Sequence, residues 1–184
     1  PDISNLINLE VLIIHNTHLS QAPLIHGSPN LIILYLHNNH LENLPDISQH
    51  TTLTRLYAYN NRLRSIPNLN SNIYLTHLYL ISNPQLRQIP DISHLQYLTD
   101  LQIDPIVCIT NIHALIGNTI LRINNQPVSK YINSTYQCQA HLDIPSTSTT
   151  TSDAPSFTTF PRSTSRGRTT PSTTTPSTTQ ALAL

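Results

Sequence analysis

The chain has 184 residues and no net charge, and charged residues make up 10% of it, whereas about 25% is usual in soluble domains. Neither the part before residue 145 nor the part after it carries the excess of Lys and Arg that nucleic-acid binding requires. The sequence contains no phosphate-binding loop, nucleophile elbow, metalloprotease motif or kinase motif, so nothing in it indicates an enzyme or a cofactor.

A repeated pattern of leucines organises the first hundred or so residues. The pattern Leu-x-x-Leu-x-Leu-x-x-Asn-x-Leu is complete in residues 31–41, and copies of it begin at residues 9, 31, 53, 75 and 98. A fixed period of this length predicts a solenoid of stacked coils. In Leu-x-Leu the side chains alternate across a short strand, so we expect the leucines to point inward and the residues between them to lie on the concave face.

The ninth position of the pattern is Asn in three successive coils, at Asn39, Asn61 and Asn83. There the chain must turn away from the strand, and an Asn amide can pair with main-chain groups that would otherwise be buried without partners. We therefore expect a structural ladder of asparagines, in which Asn61 points into the core and its neighbour Asn60 does not.

The segments between the strands are short and rich in Pro, Asp, Ser and Asn, as in residues 44–50. A proline at the turn of a 22-residue coil favours 3₁₀ or extended structure there over full α-helices. His50 in this segment is expected to face away from the sheet. Pro-Asp-Ile-Ser at residues 1–4 recurs at 45–48 and 90–93, which indicates that the sequence begins within an incomplete coil.

The predicted concave positions are rich in Tyr and His. The middle position of Leu-x-Leu is Tyr in three successive coils, and coils about 4.8 Å apart would place these side chains in a row. Tyr and Arg are enriched in interface hot spots because they bury a large area and keep a polar group, although Tyr also suits strands in general. The predicted ligand-binding residues are Tyr35, Tyr57, Tyr59, Tyr79, Arg55, His15, His37 and His77.

Ten histidines raise the question of a metal site. His15 and His37 occupy equivalent positions in neighbouring coils, and so do His18 and His40. Because no Cys or carboxylate lies close to them in the pattern, these pairs favour a pH-sensitive surface over metal binding. No metal is expected.

After residue 103 the pattern is lost, and residues 104–144 are interpreted as a degenerate last repeat followed by a carboxy-terminal cap. Residues 121–123 predict a last strand. A short helix over the open end of the core is predicted by the helical spacing of Ile109, Ile112, Leu115 and Ile116.

The chain has two cysteines, Cys108 and Cys138, and both fall in this terminal region. We expect a disulfide between them, because the N-glycosylation sequon at Asn133 and the tail that follows are typical of extracellular proteins. The alternative is a pair of reduced, buried cysteines in a cytosolic protein.

Residues 145–184 have a different composition, with 22 Ser or Thr and five Pro among 40 residues. Such a segment cannot bury a core, and it predicts a disordered, O-glycosylated, mucin-like stalk, with an unmodified linker as the alternative. The apolar residues 181–184 leave open a membrane span or anchor beyond residue 184.

The pattern over residues 3–125 is identified as that of the leucine-rich repeat family in its 22-residue variety. This resemblance implies an α/β solenoid shaped like a horseshoe, with short parallel strands on the concave face and 3₁₀ or extended segments on the convex side. The implied organisation is leucine-rich repeats over residues 1–103, a degenerate repeat and cap over 104–144, and a disordered stalk over 145–184.

Repeats, a cysteine-bearing end and a Ser/Thr/Pro stalk resemble extracellular leucine-rich repeat receptors and adhesion proteins, whose flanking cap usually has more cysteines than the two found here. The resemblance implies a non-enzymatic module, at the cell surface or secreted, that binds a protein or glycan on its concave face. Two alternatives stay open. One is the ectodomain of a receptor with a kinase-type signalling domain beyond residue 184, and the other is an intracellular scaffold like those that dock on phosphatases.

Overall fold

A computed structural model describes residues 2–3, 5–115, 118–131 and 180–183. In these residues each repeat of the leucine pattern contributes one short strand, and two 3₁₀ helices follow the last complete repeat. The strands are β1 (Leu9–Ile13), β2 (Ile33–Tyr35), β3 (Arg55–Tyr57), β4 (His77–Tyr79), β5 (Gln88–Ile89), β6 (Asp100–Gln102), β7 (Cys108–Ile109), β8 (Arg122–Ile123), β9 (Gln126–Pro127) and β10 (Gln180–Ala183). The 3₁₀ helices are Ile112–Leu115 and Val128–Lys130.

The main sheet has eight strands in the order β10-β1-β2-β3-β4-β6-β8-β9, and all its neighbours are parallel except β8 and β9. The register pairs the same position of every coil. The inward leucine of one coil faces that of the next, through the series Leu12, Leu34, Leu56, Leu78 and Leu101. The predicted solenoid of parallel strands is therefore confirmed. Strands β5 and β7 form a separate parallel pair.

The core is a single cluster of buried hydrophobic side chains that runs along the stacked coils. Among the described residues, Tyr131 is its one buried aromatic side chain, and the rest are Leu, Ile, Val and Ala. Small aliphatic side chains suit this interior, because each coil must meet its neighbours at the strand spacing of about 4.8 Å.

The expected α/β class is not confirmed. Among the residues that the structure describes there is no α-helix, and the 3₁₀ helices have four and three residues. A coil of 22 residues that carries Pro45, Pro67 or Pro90 leaves little room for α-helical turns, because proline lacks the amide hydrogen that they need. The convex segments therefore take the extended and turn conformations that the prolines favour.

The carboxy-terminal end of the sheet agrees in part with the sequence. Strand β8 forms at the predicted last strand and pairs in parallel with β6. The predicted helix appears as the 3₁₀ helix Ile112–Leu115, but Ile109 belongs to β7, and Ile116 lies outside the described residues. Asn124 and Asn125 both have positive φ, which turns the chain back into the unpredicted strand β9.

At the other end of the sheet, part of the tail is ordered. Residues 180–183 were expected in a disordered stalk, but they form β10, which pairs in parallel with β1. Leu182 lies opposite Leu12 and packs against the core. Residues 145–179 and 184, the rest of the predicted stalk, lie outside the described residues. No helix within the described ranges is long and apolar enough to cross a membrane.

Candidate functional site

A row of tyrosines lies on the sheet, one from each of three neighbouring strands. Tyr35, Tyr57 and Tyr79 are paired in register across β2, β3 and β4. The rings of Tyr35 and Tyr57 stack with centroids 4.7 Å apart and an angle of 6° between their planes. Tyr79 is turned by 90° relative to Tyr57, and its hydroxyl donates a hydrogen bond to the Asp100 carboxylate of the next coil. This bond fixes the turned ring.

A second row runs beside the first, two residues further along each coil. The rings of His15 and His37 stack at 4.6 Å and 10°, and those of His37 and Tyr59 stack at 4.4 Å and 15°. Tyr35 meets His37 edge to face at 5.9 Å, which joins the two rows. Together the six rings form one surface, called the ring array below: Tyr35, Tyr57, Tyr79, His15, His37 and Tyr59.

The two remaining predicted binding residues border the ring array. Arg55 is exposed and pairs in register with His77 across β3 and β4. Nδ1 of His77 lies 2.8 Å from the hydroxyl of Thr76, and its ring is 6.1 Å from that of Tyr79. The structure thus brings all eight predicted binding residues onto one face.

Four rings of the array, those of His37, Tyr57, Tyr59 and Tyr79, have a pKa that is shifted toward the neutral form. Burial and, to a smaller extent, the nearby His15 lower the pKa of His37 to about 4, so His37 is neutral at pH 7. Burial also raises the pKa of Tyr57 and Tyr59, and burial together with Asp100 raises the pKa of Tyr79. The phenols therefore keep their protons. Nδ1 of His37 is buried, and it has no hydrogen-bond partner among the described residues.

The asparagine ladder holds the turn that follows each strand. Asn39, Asn61 and Asn83 are buried, and each donates to a carbonyl 25 residues earlier and to one three residues earlier. In the coils of Asn61 and Asn83 the amide oxygen accepts a bond from the main chain of the preceding coil, at Leu41 and Leu63 respectively. Each coil is thereby bonded to its neighbour just beyond the ring array.

A second polar ladder lies on the convex side and was not predicted. Its members occupy the same position in four successive coils and differ in residue type: Ser28, His50 and Asn72, which are buried, and His94, which is half-buried. Each of the last three reaches a carbonyl 25 residues earlier, at 3.1, 3.0 and 3.1 Å. The 22-residue recurrence of polar residues was the signal in the sequence, but the mixture of types concealed it.

His50 shows what this ladder means for one side chain. It lies on the convex side as expected, but it is fully buried, so it is not a surface residue. Its Nε2 lies 3.1 Å from the carbonyl oxygen of Ile25, which can only accept, so Nε2 carries the hydrogen. Burial lowers the pKa of His50, which keeps the ring neutral.

The other predicted sites are less defined. Cys108 lies in β7, whereas Cys138 and Asn133 lie outside the described residues, so the disulfide and the glycan stay predictions. The rings of His18 and His40 are 5.3 Å apart and tilted. Within the described part of the chain, no three His, Cys, Asp or Glu side chains are grouped as metal ligands would be.

Comparison with known proteins places the central coils in a family. The family model described as Leucine Rich repeats (2 copies) matches residues 51–94, which contain β3, β4 and β5. No curated protein matches the chain. The same strand register continues on both sides of the matched segment, through β2 and β6, and the asparagine bonds continue before it, at Asn39. Residues 51–94 are thus leucine-rich repeats, and the coils on either side of them share their strand register.

Proposed function

We propose that this chain is a non-enzymatic recognition module that binds a protein partner on its concave face, through the ring array. The observation that carries the proposal is the stacking of Tyr35 on Tyr57 and of His37 between His15 and Tyr59. Stacked rings of this size supply a large contact area together with polar groups at their edges.

The stacked rings favour binding because they are already fixed in position. Immobilising a flexible side chain at an interface costs roughly 0.5–1.5 kcal/mol. Tyr35, Tyr57, His37 and Tyr59 each have at least one neighbouring ring within 5 Å, which restricts their rotation before any partner arrives. Most of this cost is thereby removed from binding.

The orientation of the rings favours a protein over a glycan. Sugars bind aromatic residues chiefly by stacking on ring faces, and the faces between Tyr35 and Tyr57 and between His37 and Tyr59 are covered by each other. A partner therefore meets the edges of these rings, with their hydroxyl and imidazole groups. Polar main-chain and side-chain groups of a protein complement such edges.

The proposal includes a setting at the cell surface or in a secreted protein. It is supported by the sequon at Asn133, by the pair Cys108 and Cys138, and by the Ser/Thr/Pro-rich tail from residue 145.

The test uses a protein partner selected with the full chain from a display library of folded domains. Tyr57→Ala should lower the affinity for this partner by about thirtyfold, since a central aromatic hot spot contributes 2 kcal/mol or more to binding. Tyr97→Ala is the matched control, because Tyr97 is exposed in the segment before β6 and lies outside the ring array. Unchanged affinity in Tyr57→Ala, or an equal loss in Tyr97→Ala, would reject the ring array as the binding surface.

A further inference from the structure

We propose that the flank of the solenoid, where the chain approaches strands β2, β3 and β4, binds a neutral glycan. The site is formed by one ring face of Tyr74 together with the side chains of Thr52 and Asn30, and we call it the flank ledge. It lies outside the ring array, and it does not depend on the protein-binding function proposed above.

One position of the coil changes its chemistry along the solenoid. It directly precedes the buried leucine that opens each coil, and it is exposed in five successive coils, as Asn30, Thr52, Tyr74, Tyr97 and Ile120. The Asn30 amide donates to the Ile7 carbonyl at 3.3 Å, and the Thr52 hydroxyl donates to the carbonyls of Pro29 and Leu31 at 3.1 and 3.0 Å. Asn30 and Thr52 thus bond their coils to the preceding ones.

Tyr74 and Tyr97 occupy the same position with stacked rings. The ring centroids are 5.7 Å apart, with 27° between the ring planes, and the two side chains are 50% and 56% exposed. A threonine at this position links two coils by hydrogen bonds, so the fold does not require a large aromatic side chain there. Neighbouring exposed aromatic side chains that packing does not require are typical of binding sites.

The stack leaves one face of Tyr74 uncovered. Tyr97 covers the face that is directed toward the following coil, so the opposite face is directed toward the preceding coil, where the equivalent side chain is Thr52. Thr52 is short, and its hydroxyl is turned toward the main chain, so it forms the floor of the ledge beneath the ring. Tyr97 also restricts the rotation of Tyr74 before a ligand arrives.

The chemistry of the flank ledge fits a pyranose ring. The C–H groups of a sugar pack on an aromatic face, and its hydroxyls pair with neutral hydroxyl and amide groups. Tyr74 supplies the face, and the side-chain oxygens of Thr52 and Asn30 can accept hydrogen bonds from sugar hydroxyls. In the ring array, by contrast, the faces of Tyr35 and Tyr57 cover each other.

The lack of charge around the flank ledge favours a neutral ligand. Residues 27–32, 49–54, 71–76 and 94–99, which carry the ledge and its supporting ring, contain no Asp, Glu, Lys or Arg. A sulfated or sialylated glycan would lose hydration of its anionic groups without gaining a cation from these segments. The ligand is therefore a glycan of uncharged sugars.

Binding of the full chain to an array of neutral, sialylated and sulfated oligosaccharides tests the proposal. The unmodified chain should bind neutral members of the array. Tyr74→Ala should lower the affinity for the best of them by roughly tenfold, because the stacking face is lost. Tyr74→Phe keeps this face and should remain within about twofold of the unmodified chain. Tyr57→Ala removes a ring of the ring array and should leave glycan binding unchanged.

Thr52→Tyr separates an open ring face from a merely apolar surface. The new ring would cover the face of Tyr74, so glycan affinity should fall by roughly tenfold although the exposed aromatic surface grows. Thr52→Val loses the same hydrogen bonds without adding a ring, and it should bind the glycan more tightly than Thr52→Tyr does. Urea unfolding of each variant verifies that it is folded.

The proposal is overturned if no neutral oligosaccharide binds, or if Tyr74→Ala binds as tightly as the unmodified chain. It is also overturned if Thr52→Tyr binds as well as Thr52→Val, since an open face would then have no role, and a protein or a second copy would be the occupant. Loss of glycan binding in Tyr57→Ala alone would move the glycan to the ring array. The selected protein partner should keep its affinity in Tyr74→Ala, so the two proposals fail independently.

Discussion

Replacing Asn61 by Ala tests how the repeats are held together. The Asn61 amide nitrogen donates to the carbonyls of Leu36 and Ala58 at 2.9 and 3.2 Å, and its oxygen accepts from the Leu41 amide at 3.0 Å. All three partner groups belong to fully buried residues. Water cannot replace the lost amide without opening the core.

The three partners are affected differently by the loss. The Leu36 carbonyl keeps a bond from Asn39 at 3.0 Å, and the Ala58 carbonyl keeps one from Asn83 at 3.0 Å. Only the Leu41 amide is left without this partner, and a buried donor in that state costs roughly 1–3 kcal/mol. The two weakened carbonyls add roughly 1–2 kcal/mol. The free energy of unfolding should therefore fall by about 3 kcal/mol, a large part of the 5–15 kcal/mol typical of a domain.

Urea unfolding of the full chain measures this loss as a lower midpoint at unchanged slope. Asn60→Gly is the control, because Asn60 is exposed and has a φ of 54°, which glycine adopts without strain. Its side chain donates to the Asn38 amide oxygen at 2.7 Å in an exposed hydrogen bond, so its removal should cost less than about 0.5 kcal/mol. Equal midpoints for the two variants would show that the asparagine ladder does not stabilise the solenoid.

Two further predictions concern protons and thiols. Burial lowers the pKa of His50, and it lowers the pKa of His37 to about 4, whereas a histidine in the unfolded chain has a pKa of 6.5. Between pH 4 and pH 6.5 the unfolded chain therefore binds more protons than the folded one. The free energy of unfolding, measured with urea, should therefore decrease from pH 6.5 toward pH 4, and this decrease should be less steep in His50→Asn. An equal pH dependence in the unmodified chain and in His50→Asn would contradict the prediction. Mass spectrometry of the unreduced protein should find Cys108 joined to Cys138, and reduction should destabilise it by roughly 3–4 kcal/mol; two free thiols would exclude the disulfide.

The sequence predicted those parts of the fold that recur with the same residue type. Leu34, Leu56 and Leu78 are leucines at a constant spacing, and each points into the core where the pattern predicts it. The tyrosine row could be predicted for the same reason, since strand register follows directly from the period. The stacking of His37 on Tyr59 needed coordinates, because it depends on rotamers that a pattern does not specify.

The sequence was least informative where one structural role is shared by different residue types. Position 50 is His and position 72 is Asn, yet both side chains reach buried carbonyls, because imidazole N–H and amide N–H donate equally well. Residues 180–183 were misread since their surroundings are polar and the segment is short. Its alternation of Ala and Leu is the period-two pattern of a strand, and that pattern was present in the sequence.

The asparagine ladder has a consequence for how such a chain changes in length. The amide of Asn61 reaches back 25 residues to Leu36, and that of Asn83 reaches back 25 to Ala58, so these successive joints between coils use the same donors and acceptors. A duplicated or deleted stretch of 22 residues would rejoin two such surfaces, wherever in a coil the break occurred. The gene can therefore gain or lose whole turns in single recombination events, and each event would lengthen or shorten the rows of rings by one member.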